Sequence, residues 1–94
     1  MKPLERIFFQ ACIMKCKIGC EPYAENDFLT VREVIEHFET LGFSAKRLWY
    51  YLDKWVGRGF YDYGIKVYLG WFEPDKLTGE YKVMYESIVK GGAE

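Results

Sequence analysis

Cys12, Cys16 and Cys20 recur every four residues, and with His37 they supply the four sulfur and nitrogen groups that a closed zinc site needs. Helical spacing works against that use. Each step of four residues turns a helix by about 40°, so Cys20 lies about 80° around from Cys12 and the thiols diverge. Their expected role is that of small buried hydrophobes, with no metal bound. His37 is the only histidine, and no motif places a serine or cysteine nucleophile beside it. With Glu33 four residues before it and Leu41 four after, it reads as a partly exposed helix residue. The remaining carboxylates form no recognisable catalytic pair. The expectation is therefore a binding protein without cofactor, not an enzyme.

A second group of residues carries different chemistry. Between Ser44 and Tyr61 the chain reads SAKRLWYYLDKWVGRGFY. At about 100° per residue, Ala45, Leu48, Tyr51, Leu52 and Trp55 share one side of a helix, while Lys46, Tyr50 and Asp53 fall opposite and Arg47, Trp49 and Lys54 take the flanks. Cations on an outward helix face suit nucleic acid. The polar and cationic groups outside the apolar stripe are Ser44, Lys46, Arg47, Tyr50, Lys54 and Arg58, and a guanidinium can grip guanine with two hydrogen bonds. Lys66, Lys76 and Lys82 further along can track the backbone. Trp49 and Tyr50 admit stacking on unpaired bases, anchoring of a protein partner, or packing within the fold. Both cannot face inward if Leu48 and Leu52 do, so at least Tyr50 is expected at the surface.

The elements that position these groups follow from periodicity and punctuation. Residues 3–18 suit a helix with Pro3 in its first turn and Gly19 as terminator. That helix is apolar in almost every direction, with Leu4, Phe8 and Ala11 on one side and Phe9, Ile13, Cys16 and Cys20 on another. It is either a central helix wrapped by the rest of the fold or a helix whose second side, through Phe9 and Ile13, meets a partner or a second copy of the chain. Residues 21–27 form a polar connection, and Phe28 and Leu29 can add a short strand. Thr30 then opens a second helix through the reciprocal capping box T-x-x-E with Glu33. Val31, Val34, Ile35, Phe38 and Leu41 recur on one face of it, Gly42 ends it, and Ser44 caps the third helix. The third helix stops at Gly59 and turns into a strand. Alternating, aromatic-rich stretches at residues 65–72 and 80–88 then suggest two strands of a hairpin, with EPDKLTG as the loop and Lys76 at its tip.

A chain of 94 residues, 50% hydrophobic and 19% aromatic, bounds this to one domain, expected over residues 1–90 with a frayed tail at 91–94. No basic segment followed by an apolar run opens the sequence, and no stretch is long enough to span a membrane, so neither a signal peptide nor a membrane partner is expected. Three cysteines cannot all pair within one chain, which suits a reducing cytoplasm. The net charge is only −1, but it is unevenly spread. Residues 44–66 hold five basic and two acidic side chains, whereas 21–43 hold one basic and six acidic. The third helix is locally basic, and the second is acidic.

The order of helices, turn and hairpin resembles the winged helix-turn-helix superfamily, and the register of the third helix is similar to that of the MarR-type regulators. In that register a core aliphatic precedes two exposed residues, then core, core, two polar, core, three variable, glycine and two apolar positions. Here those slots hold Leu48, Trp49 and Tyr50, Tyr51, Leu52, Asp53 and Lys54, Trp55, residues 56–58, Gly59, then Phe60 and Tyr61. The resemblance, covering residues 30–88, implies an α+β fold of three helices followed by a two-stranded antiparallel β-hairpin wing. It also implies duplex DNA as partner, with Ser44, Lys46, Arg47, Tyr50, Lys54, Arg58, Lys66 and Lys76 on its side, a homodimer through the first helix, and transcription regulation by occupancy. The alternative is a protein-interaction module that presents Phe9, Ile13, Trp49 and Tyr50 to a partner.

Overall fold

The computed structural model describes residues 1–20 and 28–91. It is α+β, and its described part has four α-helices and a two-stranded antiparallel sheet: α1 (Pro3–Lys15), α2 (Val31–Thr40), α3 (Ala45–Gly57), β1 (Tyr61–Asp62), β2 (Trp71–Phe72) and α4 (Gly79–Gly91). The polar connection expected at 21–27 and residues 92–94 of the expected tail lie outside the described residues.

The two central helices start as their caps dictate. The Thr30 hydroxyl accepts the Glu33 amide at 3.1 Å while the Glu33 carboxylate accepts the Thr30 amide at 3.0 Å, so two amides left over at the start of α2 are satisfied reciprocally. The Ser44 hydroxyl accepts the Arg47 amide at the start of α3. Gly42 and Gly59, at φ of +95° and +81°, end these two helices in a left-handed turn that a side chain disfavours. The stripe of α3 expected to face inward does so: Leu48, Leu52 and Trp55 are wholly buried and Tyr51 is nearly so.

Helix α1 ends three residues earlier than its composition suggests. From Cys16 the chain is extended, because residues 17–19 run alongside β2, where the Phe72 amide donates to the Lys17 carbonyl (2.9 Å) and the Gly19 amide to the Phe72 carbonyl (2.8 Å). Pairing with a buried strand wins over helix propagation. No strand forms at Phe28 and Leu29.

The hairpin is displaced from its expected place. Tyr61 pairs with Phe72 and Asp62 with Trp71, so the turn connecting the strands is residues 63–70, and residues 67–69 within it form a single 3-10 turn. EPDKLTG is not a hairpin loop. It carries a 3-10 turn at Pro74–Lys76 and leads into α4, which occupies residues expected as the second strand. Tyr81, Met84, Tyr85 and Ile88 stand at helical spacing and pack onto the core, covering a side of α1 that the first three helices leave open. Among the described residues four α-helices, not three, enclose the core. The core is aromatic. Trp55 stacks on Phe8 at 5.2 Å between ring centroids and meets Phe9 edge-on at 5.3 Å, and Phe9 in turn meets Tyr81 edge-on at 5.3 Å. α1 is thus the central helix. Phe9 and Ile13, expected as a partner surface, are buried within the domain, Phe9 against Phe72 of the sheet and Tyr81 of α4. Among the described residues no helix is long and apolar enough to cross a membrane.

Candidate functional site

With Leu48, Leu52 and Trp55 turned inward, α3 presents Ser44, Lys46, Arg47, Tyr50 and Asp53 to solvent, and Tyr50 is 64% exposed. Arg47 and Tyr50 then stand beside Lys2, the residue that precedes α1, around a depression of about 250 Å³ completed by Glu5, Tyr51 and Lys54. Lys2, Lys46 and Arg47 make no ion pair among the described residues. The other cations named from the sequence are differently placed.

Lys54 is tied down. Its Nζ donates to Glu5 Oε1 at 2.9 Å, and Glu5 is only 1% exposed. The second carboxylate oxygen accepts the Trp55 indole N–H at 2.9 Å and the Tyr81 hydroxyl. A buried carboxylate is costly unless its lone pairs are filled, and here two helices, α3 and α4, supply three donors. Burial pushes the Glu5 carboxyl up, but the hydrogen bonds from Tyr81, Trp55 and Lys54, with the Lys54 charge, outweigh it and hold the group below its ordinary value of 4.5. Burial and the bond to Glu5 push the Tyr81 phenol up. Burial pulls the Lys54 ammonium down, yet its bond to Glu5 raises it on balance. Sequence reading passed over Glu5, although a lone carboxylate in the first turn of an otherwise apolar helix was a visible sign of a buried polar partner.

Arg58 lies on the far side of Lys54, its guanidinium 5.9 Å from the Tyr81 ring centroid, in a second depression with Glu80 on its wall. Glu80 accepts the Met1 amine at 3.3 Å and lies 4.0 Å from Arg6. Lys66 sits in the 63–70 connection with its Nζ 5.7 Å from the centre of the Tyr68 ring, not on a strand. Lys76 belongs to the 3-10 turn before α4 and Lys82 to α4 itself, so neither is at a hairpin tip or on a strand.

Trp49 is half-buried. It lines a groove of about 560 Å³ with Val67 and Tyr68, and Glu36 and Glu39 of α2 stand at the same groove. Arg32 lies in the same groove, 3.9 Å from Glu36 and with its guanidinium 5.5 Å from the Tyr68 ring centre, whereas Lys2 and Arg47 stand at the depression beside Tyr50. His37 borders an apolar groove between α1 and α2 of about 570 Å³. Cys12 and Cys16 are buried and Cys20 is exposed, and among the described residues no three histidine, cysteine or carboxylate side chains come together as a metal site.

The site is thus an exposed helix face that carries Lys46, Arg47, Tyr50 and Asp53, with a small concavity beside it. In comparisons with known proteins, no family model, curated protein or solved structure matches this chain.

Proposed function

We propose that this chain is a small winged-helix protein that binds duplex DNA through α3 and acts by occupancy, as a transcription regulator would. The observation that carries the reading is the division of α3: Leu48, Leu52 and Trp55 are fully buried, while Lys46, Arg47 and Tyr50 are exposed and the two cations make no ion pair among the described residues. A helix docked in a major groove needs that division, because its inner stripe fixes the angle at which its outer residues arrive. The MarR-like register of α3 and its capped start support the same reading. No second copy is needed for the face to form.

The test is binding of a generic fluorescent duplex at low salt, followed by anisotropy. Wild type is expected to bind with affinity that falls steeply as salt rises, because cations displace condensed counterions from the duplex. Lys46→Ala combined with Arg47→Ala is expected to weaken binding at least about tenfold at low salt, on the scale of one or two lost phosphate or base contacts. Absence of binding by wild type under these conditions defeats the reading.

One observation favours a second reading, a protein-interaction module. Trp49 and Tyr68 line a groove bordered by Glu36, Glu39 and Arg32, and Tyr50, next to Trp49 in the chain, is 64% exposed. A partner anchored there by aromatic contacts would stay bound as salt rises and be lost with Tyr50→Ala.

A further inference from the structure

Two features of the depression beside α3 have no use within the fold itself. Lys2 and Arg47 come from separate elements, the N-cap of α1 and the first turn of α3, yet they border one concavity. Neither is paired with a carboxylate among the described residues, although a carboxylate, Glu5, lies at the same depression. The Glu5 charge is already paired with Lys54 at 2.9 Å, and its other oxygen accepts from Trp55 and Tyr81. Two exposed cations that border one concavity without a counterion make the local potential positive, which an anion would offset. The position adds to the effect, since α1 begins at Pro3 and the positive end of its dipole faces the same region. Tyr50, at the rim, brings a hydroxyl that donates to an oxyanion without adding charge.

Arg47 therefore differs from Lys46 in what it faces. Lys46 lies on the outermost line of the helix and away from the depression, where base edges would be reached, whereas Arg47 and Tyr50 border the depression. We propose that Lys2, Arg47 and Tyr50 form a site for a single phosphate group, and that in a duplex complex Arg47 holds a backbone phosphate together with Lys2 instead of reading a base. The duplex part of this inference rests on the function proposed above. The phosphate part does not.

Two measurements separate them. The first titrates inorganic phosphate into labelled protein and follows backbone and side-chain resonances by NMR, with sodium chloride at matched ionic strength as the control. Saturable shifts at Lys2, Arg47 and Tyr50 are expected in wild type and are expected to vanish in the Lys2→Ala/Arg47→Ala protein. A response no larger than that to chloride overturns the site, whatever happens with DNA.

The second measures duplex affinity against salt for wild type, Lys2→Ala, Arg47→Ala and the double variant, on two duplexes of unrelated sequence. Because both cations serve one phosphate, the double variant is expected to lower the slope of log affinity against log salt by about 1. Its loss of affinity is expected to be equal on the two duplexes. A slope lowered by about 2, which means two separate phosphates, or an unchanged slope overturns the shared site. So does an Arg47→Ala protein whose preference between the duplexes changes, since that is the mark of base reading. Wild type that responds to phosphate but binds neither duplex leaves the site standing as one for free phosphate and removes the duplex reading.

Discussion

Glu5 shows what a single residue can organise. Its carboxylate joins α1 to Lys54 and Trp55 of α3 and to Tyr81 of α4, three bonds from a side chain that is almost fully enclosed. Replacing it with glutamine keeps the shape but turns one acceptor into a donor that faces other donors, and strands the Lys54 charge. Since Lys54 retains some access to water, Glu5→Gln is expected to lower unfolding free energy by about 2–3 kcal/mol, measured by urea titration. The variant should also change how stability depends on pH. The folded protein holds the Glu5 carboxyl below 4.5, so its stabilisation is complete above that pH and is lost as pH falls through the folded-state value. That part of the acid limb is expected to be absent from the variant. The opposite sign applies to Tyr81 and Lys54, both raised in the fold: their contributions are complete below 10.0 and 10.5 and are lost as pH rises further.

At the scale of elements, the hairpin depends on one close approach. A Cβ added at Gly70 would lie 2.0 Å from the Asp62 carbonyl oxygen and 2.8 Å from the Tyr61 ring, while the Gly70 amide donates to the Tyr61 hydroxyl at 2.9 Å. Gly70→Ala is expected to destabilise by about 1–3 kcal/mol in thermal or chemical denaturation, as an overpacked site does. Gly57, with open space around its Cβ position and a place in α3, is the control: alanine there is expected to be neutral or stabilising by up to about 1 kcal/mol.

The elements also show which signals in the chain were readable. α2 and α3 were legible because Thr30, Glu33, Gly42, Ser44 and Gly59 are local devices that act within one turn. α4 was not. Tyr81, Val83 and Tyr85 alternate like a strand, while Tyr81, Met84, Tyr85 and Ile88 repeat like a helix, and the choice was made by distant partners, Glu5 and Phe9. The same long-range dependence hid the first site residue. Arg47 and Tyr50 could be placed outside α3 from its period, but the presence of Lys2 beside them comes from how α1 packs across α3, which no local pattern records.

Across the whole molecule, charge and core are sorted by side. Lys2 and Arg47 meet where α1 begins and α3 faces out, whereas Glu36 and Glu39 of α2 lie at the Trp49 groove with Arg32 as the only cation there among the described residues. The central position of α1 has a chemical consequence of its own. It carries Cys12 in its body and Cys16 at its end into the interior, while the chain leaving it brings Cys20 out. Burial and the neighbouring Cys16 push the Cys12 thiol well above its ordinary value, so little of it exists as the reactive thiolate. A thiol reagent added to the native protein is expected to consume one equivalent quickly, at Cys20, and the other two only as the domain opens. The protein carries its own reporter of unfolding, readable by absorbance alone, with a dye attachable at one position while the interior stays closed.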